Sequence, residues 1–460
     1  MGVVCAGVIS AHANIITVTN RNDSGPGSLR QALRLADDGD TITFAVTGAI
    51  ALTGGGLPVN KSLTISGPGK DQLSIDGNQA LLVFGIFPDK TATISDLTIR
   101  NGQIGIWNEH GTLTVGDCAL SGNSEVGLFN DGVLSVSNCV VSGNSGGGIF
   151  SSYGPGVLTA SYCDVSGNSY GIDNDHGEAS VSNCIVTGNH PYGGVLNYGG
   201  SGGPNDHIFA TSLTIADTII SDNSESGVFN EGGYMMILNS TLSGNSAGQE
   251  HAGGGISSPS TFKRPGGITI ANSTISGNSA GIGAGIWADW TGLSIVNSTI
   301  SGNSAADYGG GIASGVLGVM IVNSTVTGNS AVTCGGVCAA TVEIGNTILN
   351  ANASGNIDGT VTSHGYNISS DDGGGHLNGP GDQINTDPLL GPLRNHGGPT
   401  LTHMPMRGSP AIDSGDPNFR PPPDHDQRGA CFLRVFGGRI DVGSVETQLR
   451  PRCVTPAPRP

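Results

Sequence analysis

A nine-residue phrase recurs through this chain and constrains its fold more than any other feature. "NSTISGNSA" occupies residues 272–280 and returns unchanged at residues 297–305, with near copies beginning at Asn138, Asn239 and Asn323. Between the asparagines of successive "SGN" or "SDN" triplets, the spacings are 21, 24, 21, 34, 22, 33, 25 and 26 residues. Self-similarity at a period of about 20–50 residues is typical of solenoids. The repeat therefore predicts a coil of similar rungs, two of which carry insertions.

Residues counted backward from each of these asparagines alternate in the way that β-strands do. Strict alternation with period 2 places every second side chain on one face, and a single short rung cannot bury that face without stacked neighbours. The pattern predicts an all-β fold, a parallel β-solenoid of about 12 rungs. The residue three places before the asparagine is aliphatic in all nine rungs: Leu120, Val141, Val165, Val186, Ile220, Leu242, Ile275, Ile300 and Val326.

The residue five places before the asparagine has the same parity and is predicted to point inward. It is Cys118, Cys139, Cys163 and Cys184 in the first four rungs, and Thr or Ser in the later ones. Four stacked cysteines suggest a metal site, but zinc-type C-x2-C spacing is absent, so we favour an interior ladder of small side chains. Cys334 with Cys338, and Cys431 with Cys453, are better candidates for disulfides in an exported chain.

The intervening positions are predicted to face solvent and form a T-x-[S/T] ladder in four rungs. A regular threonine array on a flat face is typical of ice-binding surfaces, which makes ice binding a remote alternative function. The ordinary preference of threonine for β-strands explains the array more simply. The ladder comprises these pairs: Thr241 and Ser243, Thr274 and Ser276, Thr299 and Ser301, Thr325 and Thr327.

The two ends of the chain differ from the repeat. Residues 1–13 combine an apolar run with an A-x-A site, which predicts a signal peptide whose usual basic start is missing, so we expect a truncated leader and an extracellular or cell-surface protein. Residues 14–350 are predicted to form the solenoid with its N-terminal cap. Residues 351–447 are predicted to add further rungs and an irregular cap, and residues 448–460 a Pro/Arg-rich tail. Behind Ser28, the apolar residues Leu29 and Leu33 predict a short amphipathic capping helix.

Both flanks also resemble a known group. "TVTNRNDSGPGSLRQALRLADDGDTITF", "SLTISGPGKDQLSIDGN" and "ISDLTIRNG" are similar to the opening of bacterial β-helix proteins of the choice-of-anchor Q type. "DPLLGPLRNHGGPTLTHMPMRGSPAIDSGDP", "DQRG" and "RIDVGSVE" resemble their closing segment. The resemblance implies a right-handed, pectin-lyase-like parallel β-helix that is secreted or held at the cell surface. It implies no particular activity.

The charge distribution narrows the classes of partner. The net charge of -18 argues against nucleic acid and anionic membranes, because few cations are present to neutralise phosphates. No stretch after residue 13 is long and apolar enough to span a bilayer. Between Arg100 and Arg394 the chain carries two cationic residues, Lys263 and Arg264, and both lie in the inserted segment "SSPSTFKRPGG". Glycans are the predicted partners, and the sequence leaves protein partners unknown.

Acids, histidines and aromatics recur at one corner of the predicted rungs, in "DNDHGE", "NYGGSGGPNDH", "FNEGGY" and "WADWTG". Successive rungs lie about 4.8 Å apart, so these side chains should line one edge and the two insertions should wall a groove. The candidate sugar-binding residues are Tyr198, Asp206, His207, Tyr234, Trp287 and Trp290. The candidate catalytic residues are Glu231, His251, Lys263, Arg264 and Asp289.

Asp173, Asp175 and Glu178 form a candidate site for Ca2+, which prefers oxygen ligands.

From the whole edge we interpret the chain as a surface or matrix protein that binds carbohydrate along the solenoid edge. The main alternative is a polysaccharide lyase or glycoside hydrolase acting on an acidic polysaccharide, with or without Ca2+. A lyase needs a base and a cation to neutralise the acid, and a hydrolase needs paired carboxylates.

Overall fold

The computed structural model describes residues 13–79, 82–152, 156–199, 211–259 and 266–448. The chain divides into two compact units, which we call the N-terminal unit, ending at Thr159, and the C-terminal unit, beginning at Ala160. Each unit is a stack of short parallel strands, with three strands in most rungs and a fourth in two rungs of the C-terminal unit, which confirms the predicted β-solenoid. Five rungs of the N-terminal unit and nine of the C-terminal unit contribute a third strand, so the rungs number about 14, close to the prediction.

The N-terminal unit contains one short helix and the first strands of the solenoid. The elements, with β17 running across the division, are these: β1 (Ile15–Val18), α1 (Leu29–Leu35), β2 (Thr41–Phe44), β3 (Gly48–Ala51), β4 (Leu57–Val59), β5 (Leu63–Ser66), β6 (Leu73–Asp76), β7 (Leu82–Ile86), β8 (Thr91–Ser95), β9 (Thr98–Arg100), β10 (Ile104–Asn108), β11 (Thr112–Gly116), β12 (Ala119–Ser121), β13 (Val126–Asn130), β14 (Val133–Ser137), β15 (Val140–Ser142), β16 (Gly147–Ser151) and β17 (Val157–Ser161).

The C-terminal unit continues the same rung, and a one-turn 3-10 helix, Gly373–Gly375, follows the last strand. Its strands are these: β18 (Asp164–Ser166), β19 (Tyr170–Asp175), β20 (Glu178–Ser182), β21 (Ile185–Thr187), β22 (Gly193–Tyr198), β23 (Ser212–Ala216), β24 (Ile219–Ser221), β25 (Val228–Glu231), β26 (Tyr234–Leu238), β27 (Thr241–Ser243), β28 (Ile256–Ser258), β29 (Gly266–Ala271), β30 (Thr274–Ser276), β31 (Ser279–Ile282), β32 (Ile286–Ala288), β33 (Thr291–Val296), β34 (Thr299–Ser301), β35 (Ser304–Tyr308), β36 (Ile312–Ser314), β37 (Val319–Val322), β38 (Thr325–Thr327), β39 (Val337–Gly345), β40 (Ile348–Asn350), β41 (Ile357–Gly365) and β42 (Ile368–Ser369).

Within a rung, the three strands occupy fixed places that we call first, second and third. First strands pair with first strands of the next rung, as β22 does with β25, and third strands pair likewise, as β27 does with β30. The inward positions are aliphatic, and all nine residues predicted three places before the asparagine are buried. The sequence periodicity therefore identified the core correctly.

The predicted N-terminal helix is present as α1. Ser28 caps it by accepting a hydrogen bond from the backbone N–H of Gln31, and Leu29, Ala32 and Leu33 are buried. The helix packs against β1 and β4 at the N-terminal end of the solenoid. Covering such an end protects the edge of a stacked sheet from pairing with other chains.

The asparagine of each "SGN" has a role that the sequence analysis missed. A Gly-Asn pair is typical of a turn, but here the glycine alone takes the left-handed conformation, as at Gly277 with φ of 63°. The asparagine is buried, and its side chain bonds to its counterpart in the next rung: Nδ2 of Asn278 donates to Oδ1 of Asn303 at 2.9 Å. Asn303 donates in the same way to Asn329. These repeated amide bonds form a ladder inside the coil.

The cysteine positions behave as the interior-ladder interpretation predicted. The four cysteines are buried and not disulfide-bonded, and the backbone N–H of Cys163 lies 3.4 Å from Sγ of Cys184. Ser240 and Ser273 take the same inward place in later rungs. The thiols are therefore packing groups of the core.

The predicted disulfide between Cys334 and Cys338 is present. Cys431 is also disulfide-bonded, while its predicted partner, Cys453, lies outside the described residues. No helix among the described residues is long and apolar enough to cross a membrane.

The predicted solvent exposure of the threonine ladder is wrong for three of its four rungs. Thr274, Thr299 and Thr325 are buried, because residues 399–446, which we call the C-terminal segment, lie across this face of the third strands. Oγ1 of Thr274 donates to the carbonyl of Leu401 at 2.6 Å, and Oγ1 of Thr299 donates to Oε1 of Gln427 at 2.6 Å. A covered face cannot contact ice, so the structure removes the ice-binding alternative.

Candidate functional site

A gap in one column of outward side chains creates the groove of the C-terminal unit. On the first strands, Phe229, Ser257 and Trp287 occupy the same place in three successive rungs. Their inward neighbours Val228, Ile256 and Ile286 are fully buried, so alternation directs these three side chains away from the core. Phe229 and Trp287 stand two rungs apart, roughly 10 Å. The small side chain of Ser257, which is 5% exposed, forms the floor of the groove between their rings.

The resulting groove has a volume of about 490 Å³. This volume lies within the range of ligand-binding clefts, which combine aromatic walls with a few placed polar groups. The lining residues come from the first strands and from the loops that precede them: Tyr192, Leu196, Tyr198, Glu225, Ser226, Phe229, Glu250, His251, Ala252, Ser257, Pro259 and Trp287.

A histidine and a carboxylate contact each other in this groove. Nδ1 of His251 lies 3.1 Å from Oε2 of Glu225, and both side chains are about half exposed. Glu225 lies between β24 and β25, and His251 lies between β27 and β28, one rung further along. The backbone of His251 is fixed by hydrogen bonds to Gly248 and from Gly281. Glu250 adds a second carboxylate beside the pair.

Further acidic groups stand near the Tyr198 end of the groove. The ring of Tyr198 packs against Phe229 with centroids 5.2 Å apart, and Tyr198 lies in register with Asp175 and Glu231 on the neighbouring strands. Burial raises the pKa of Tyr198 to about 12, and the carboxylates of Asp173, Glu231 and Asp175 contribute to the shift. The phenol is therefore a neutral hydrogen-bonding group at physiological pH.

The carboxyl of Asp173 is unusual among the predicted residues. It is buried on β19, and its Oδ1 has no hydrogen-bond partner. Burial, followed by the charge of Asp175, raises its pKa to about 8. Asp175 is less buried and contacts Nδ1 of His176.

The predicted Ca2+ ligands are not gathered into one site. Asp173 and Asp175 lie on β19, whereas Glu178 begins the next strand and is exposed. Among the described residues, one acidic group has all its ligand atoms within 4.8 Å of one another, and it comprises Asp413, Asp441 and Glu446. The turn at residues 176–177 separates Glu178 from the two aspartates.

That acidic group belongs to the packing of the C-terminal segment. Backbone N–H groups of Asp413 and Thr447 donate to Asp441, and those of Phe436 and Asp441 donate to Glu446. The fully buried guanidinium of Arg434 compensates part of the negative charge. Burial, followed by the charge of Asp441, raises the pKa of Glu446 to about 8. The backbone donors account for these carboxylates without a metal ion.

The structure brings three of the predicted site residues into the groove, namely Tyr198, His251 and Trp287. Glu231 lies beside Tyr198 without lining the groove. Tyr234 is exposed on a second strand, and Asp289 and Trp290 follow β32 at the turn into β33. Asp206, His207, Lys263 and Arg264 lie outside the described residues.

The sequence analysis missed Glu225, Glu250, Tyr192 and Phe229. Tyr192 and Glu225 come a few residues after an "SGN"-type corner, where the chain passes from a third strand to the next first strand. The predicted edge came from the corner before each second strand, whereas Tyr192 and Glu225 lie at the corner before each first strand. A rung-by-rung alignment of this second corner would have identified both residues.

Two other recesses are less suited to a polar ligand. One, of about 470 Å³ in the N-terminal unit, lies where Gly85 separates Pro58 from Trp107, and Glu109 is its one charged lining residue. The other, of about 390 Å³, is a shallow trough over second strands lined by Gly267, Gly292 and Met320. Neither combines several aromatic rings with a histidine and carboxylates.

Known proteins that resemble this chain do so at low similarity. No curated protein matches this chain. Among solved structures, the pectate lyase Pel9A is similar at 14% identity and a TM-score of 0.37, over 95% of this chain and 96% of that one. The A-module of the Azotobacter vinelandii mannuronan C-5 epimerase AlgE4 is similar at 13% identity and a TM-score of 0.38, over 75% of this chain and 90% of that one.

A mannuronic acid specific family 6 polysaccharide lyase from human gut microbiota is similar at 9% identity and a TM-score of 0.43, over 76% of this chain and 91% of that one. At these values the neighbours assign no residue of this chain a role. The family model that matches is described as a right handed beta helix region, and it covers residues 39–206. This chain is a parallel β-helix whose residues 39–206 carry the right-handed β-helix family pattern.

Proposed function

We propose that this protein binds a polysaccharide chain in the groove between Phe229 and Trp287. The observation that carries the proposal is the spacing of these two aromatic residues, with an open space above Ser257 between them. Aromatic faces pack on the apolar faces of sugar rings, while side-chain oxygens and nitrogens accept and donate to hydroxyl groups. Tyr198, Glu225 and His251 supply those polar groups at the groove walls.

A binding screen with purified protein tests this proposal. Oligosaccharides of matched length from acidic, neutral and amino-sugar polymers are titrated by calorimetry, with and without Ca2+. We expect saturable binding of at least one class, accompanied by a change in tryptophan fluorescence, because Trp287 is at the site. Absence of binding by every class would contradict the proposed function.

The His251–Glu225 contact favours an enzyme as the second candidate. A carboxylate on Nδ1 fixes the imidazole tautomer and leaves Nε2 to take or give a proton in a general acid–base step. The measurement is turnover of the bound glycan, followed as reducing ends for hydrolysis and as ultraviolet absorbance of unsaturated product for elimination. Turnover that is lost in H251Q while binding persists would establish catalysis, and binding without any turnover would exclude it.

We also infer that the chain acts outside the cell or at its surface. The apolar leader with its A-x-A site supports this, as does the resemblance of both flanks to the choice-of-anchor Q type. The Cys334–Cys338 disulfide is typical of exported proteins. Fractionation of a producing cell, with tagged protein followed by immunoblot, tests it. Recovery from the cytoplasm alone, with the leader still attached, would contradict the inference.

A further inference from the structure

The groove of the C-terminal unit carries negative charge at its centre. Glu225 and Glu250 both line it, and Glu231 lies on β25, two residues after the lining residue Phe229. No Lys or Arg is found among the described residues that line the groove. The imidazole of His251 is the one lining group in this set able to carry a positive charge. The fixed charges of the described groove are therefore carboxylates.

The electrostatic potential is also negative at the Tyr198 end of the groove, as the phenol of Tyr198 shows. After burial, the contributions that raise the pKa of Tyr198 come from Asp173, Glu231 and Asp175. Each opposes formation of a negative charge on the phenol. At neutral pH a ligand anion placed against Tyr198 meets the carboxylates of Glu231 and Asp175, while the raised pKa of Asp173 keeps that group largely protonated. The negative field thus extends along the groove from the Glu225–His251 pair to β19.

This charge distribution discriminates between classes of glycan. A polyuronate brings one carboxylate per sugar, and like charges brought together in a groove walled by low-dielectric side chains repel each other. An amino sugar brings an ammonium group, which forms charge-assisted hydrogen bonds with carboxylates. The pyranose rings of both polymers pack equally well on Phe229 and Trp287, so charge decides the preference.

We propose that the groove selects glycans with free amino groups, bound through Glu225 and Glu250, over polyuronates. This inference rests on the proposed function, because it names the class of chain that the aromatic groove holds. It differs from the acidic polysaccharide expected from the sequence for an enzyme of this fold. The half-exposed side chain of Glu225 is accessible to such a ligand.

The test compares three oligomers of equal length, made of glucosamine, N-acetylglucosamine and galacturonate. Each is titrated by calorimetry at a pH at which the amino groups of the glucosamine oligomer are protonated. Glucosamine oligomers should bind about tenfold more tightly than their acetylated counterparts, and galacturonate oligomers most weakly. Raising the salt concentration should reduce the first affinity and leave the second nearly unchanged, because salt screens exposed charges.

Variants locate the effect. E225Q/E250Q should remove the tenfold preference while keeping the affinity for the acetylated oligomer. E343Q is the matched control. Glu343 forms an exposed pair with His364, with Oε2 and Nε2 3.2 Å apart, and it does not line the groove.

The outcomes separate the two proposals. Equal affinity for the amino and acetylated oligomers, or tighter binding of galacturonate in the wild type, would overturn the charge selection and leave glycan binding intact. The same holds for a preference that survives in E225Q/E250Q. Failure of all three oligomers, together with the neutral panel, would remove the proposed function itself.

Discussion

One outward place on the first strands is filled in the N-terminal unit and open in the C-terminal unit. In the former, Trp107, Phe129 and Phe150 follow one another in successive rungs, with ring centroids 5.9 and 5.0 Å apart. In the latter, Phe229 and Trp287 are separated by Ser257. Rings in adjacent rungs pack against each other, whereas rings two rungs apart leave a slot that a ligand can enter. The size of one intervening side chain distinguishes packing from a binding surface.

Filling the slot should have the largest effect. In S257F a phenyl ring would lie between Phe229 and Trp287, as Phe129 does between its neighbours, and occupy the space proposed for a sugar. We expect glycan affinity to fall by about a hundredfold or more, the scale of losing several contacts at a binding hot spot. Calorimetry measures the affinity, with S257A as the control that keeps the slot open. Wild-type affinity in S257F would show that the glycan binds elsewhere.

Removing one wall should have a smaller effect. W287A takes away an aromatic face and should weaken glycan binding by roughly tenfold, corresponding to about 1.4 kcal/mol. W290A is the matched control, because Trp290 lies outside the groove lining at the turn before β33. A larger loss of affinity in W290A than in W287A would place the ligand at that turn instead.

The two columns should also respond differently to the loss of one phenylalanine. F129A removes a ring that contacts two others and should lower the free energy of unfolding by about 1–3 kcal/mol, without changing glycan affinity. F229A should weaken glycan binding. Denaturant unfolding and calorimetry on both variants check this contrast. Loss of glycan binding in F129A would assign the N-terminal column a ligand as well.

The smallest expected effect is a pH dependence of stability from Glu446. Its pKa in the folded protein, about 8, lies above its ordinary value of 4.5, so the folded state holds more protons between those values. Stability contributed by this group is present below pH 4.5 and is lost as pH rises toward 8. The melting temperature should fall by a few degrees over that range, and E446Q should flatten the dependence. An E446Q profile as steep as that of the wild type would assign the slope to other groups, such as Asp173.

The sequence predicted the scaffold well because every rung must present the same shape to the next. Ile275 and Ile300 could be assigned to the core, and Ser28 to a helix cap, from periodicity and local hydrogen bonding alone. The asparagine ladder was missed because a buried amide and a corner amide have the same spacing. Only the bond between Asn278 and Asn303 in three dimensions distinguishes them.

The candidate site was predicted less completely. Trp287, Tyr198 and His251 were identified, but Ser257 was not, since a small residue in a strand carries no chemical signal of its own. The cover over the threonine ladder also could not be foreseen. Gln427 meets Thr274 and Thr299 from more than 120 positions along the chain, and no local pattern encodes such a contact.

The C-terminal segment has a consequence for the fidelity of folding. The identical phrases at residues 272–280 and 297–305 can be exchanged by a slip of one rung with almost no loss of strand pairing. The segment contacts three successive rungs through overlapping partners: Leu401 and Gln427 at Thr274, Gln427 and Ser444 at Thr299, and Ser444 at Thr325. Once the segment has docked, a slip by one rung would first have to break the buried hydrogen bonds of Gln427, which is costly. The segment thus holds the rungs in register from outside a coil whose own copies are interchangeable.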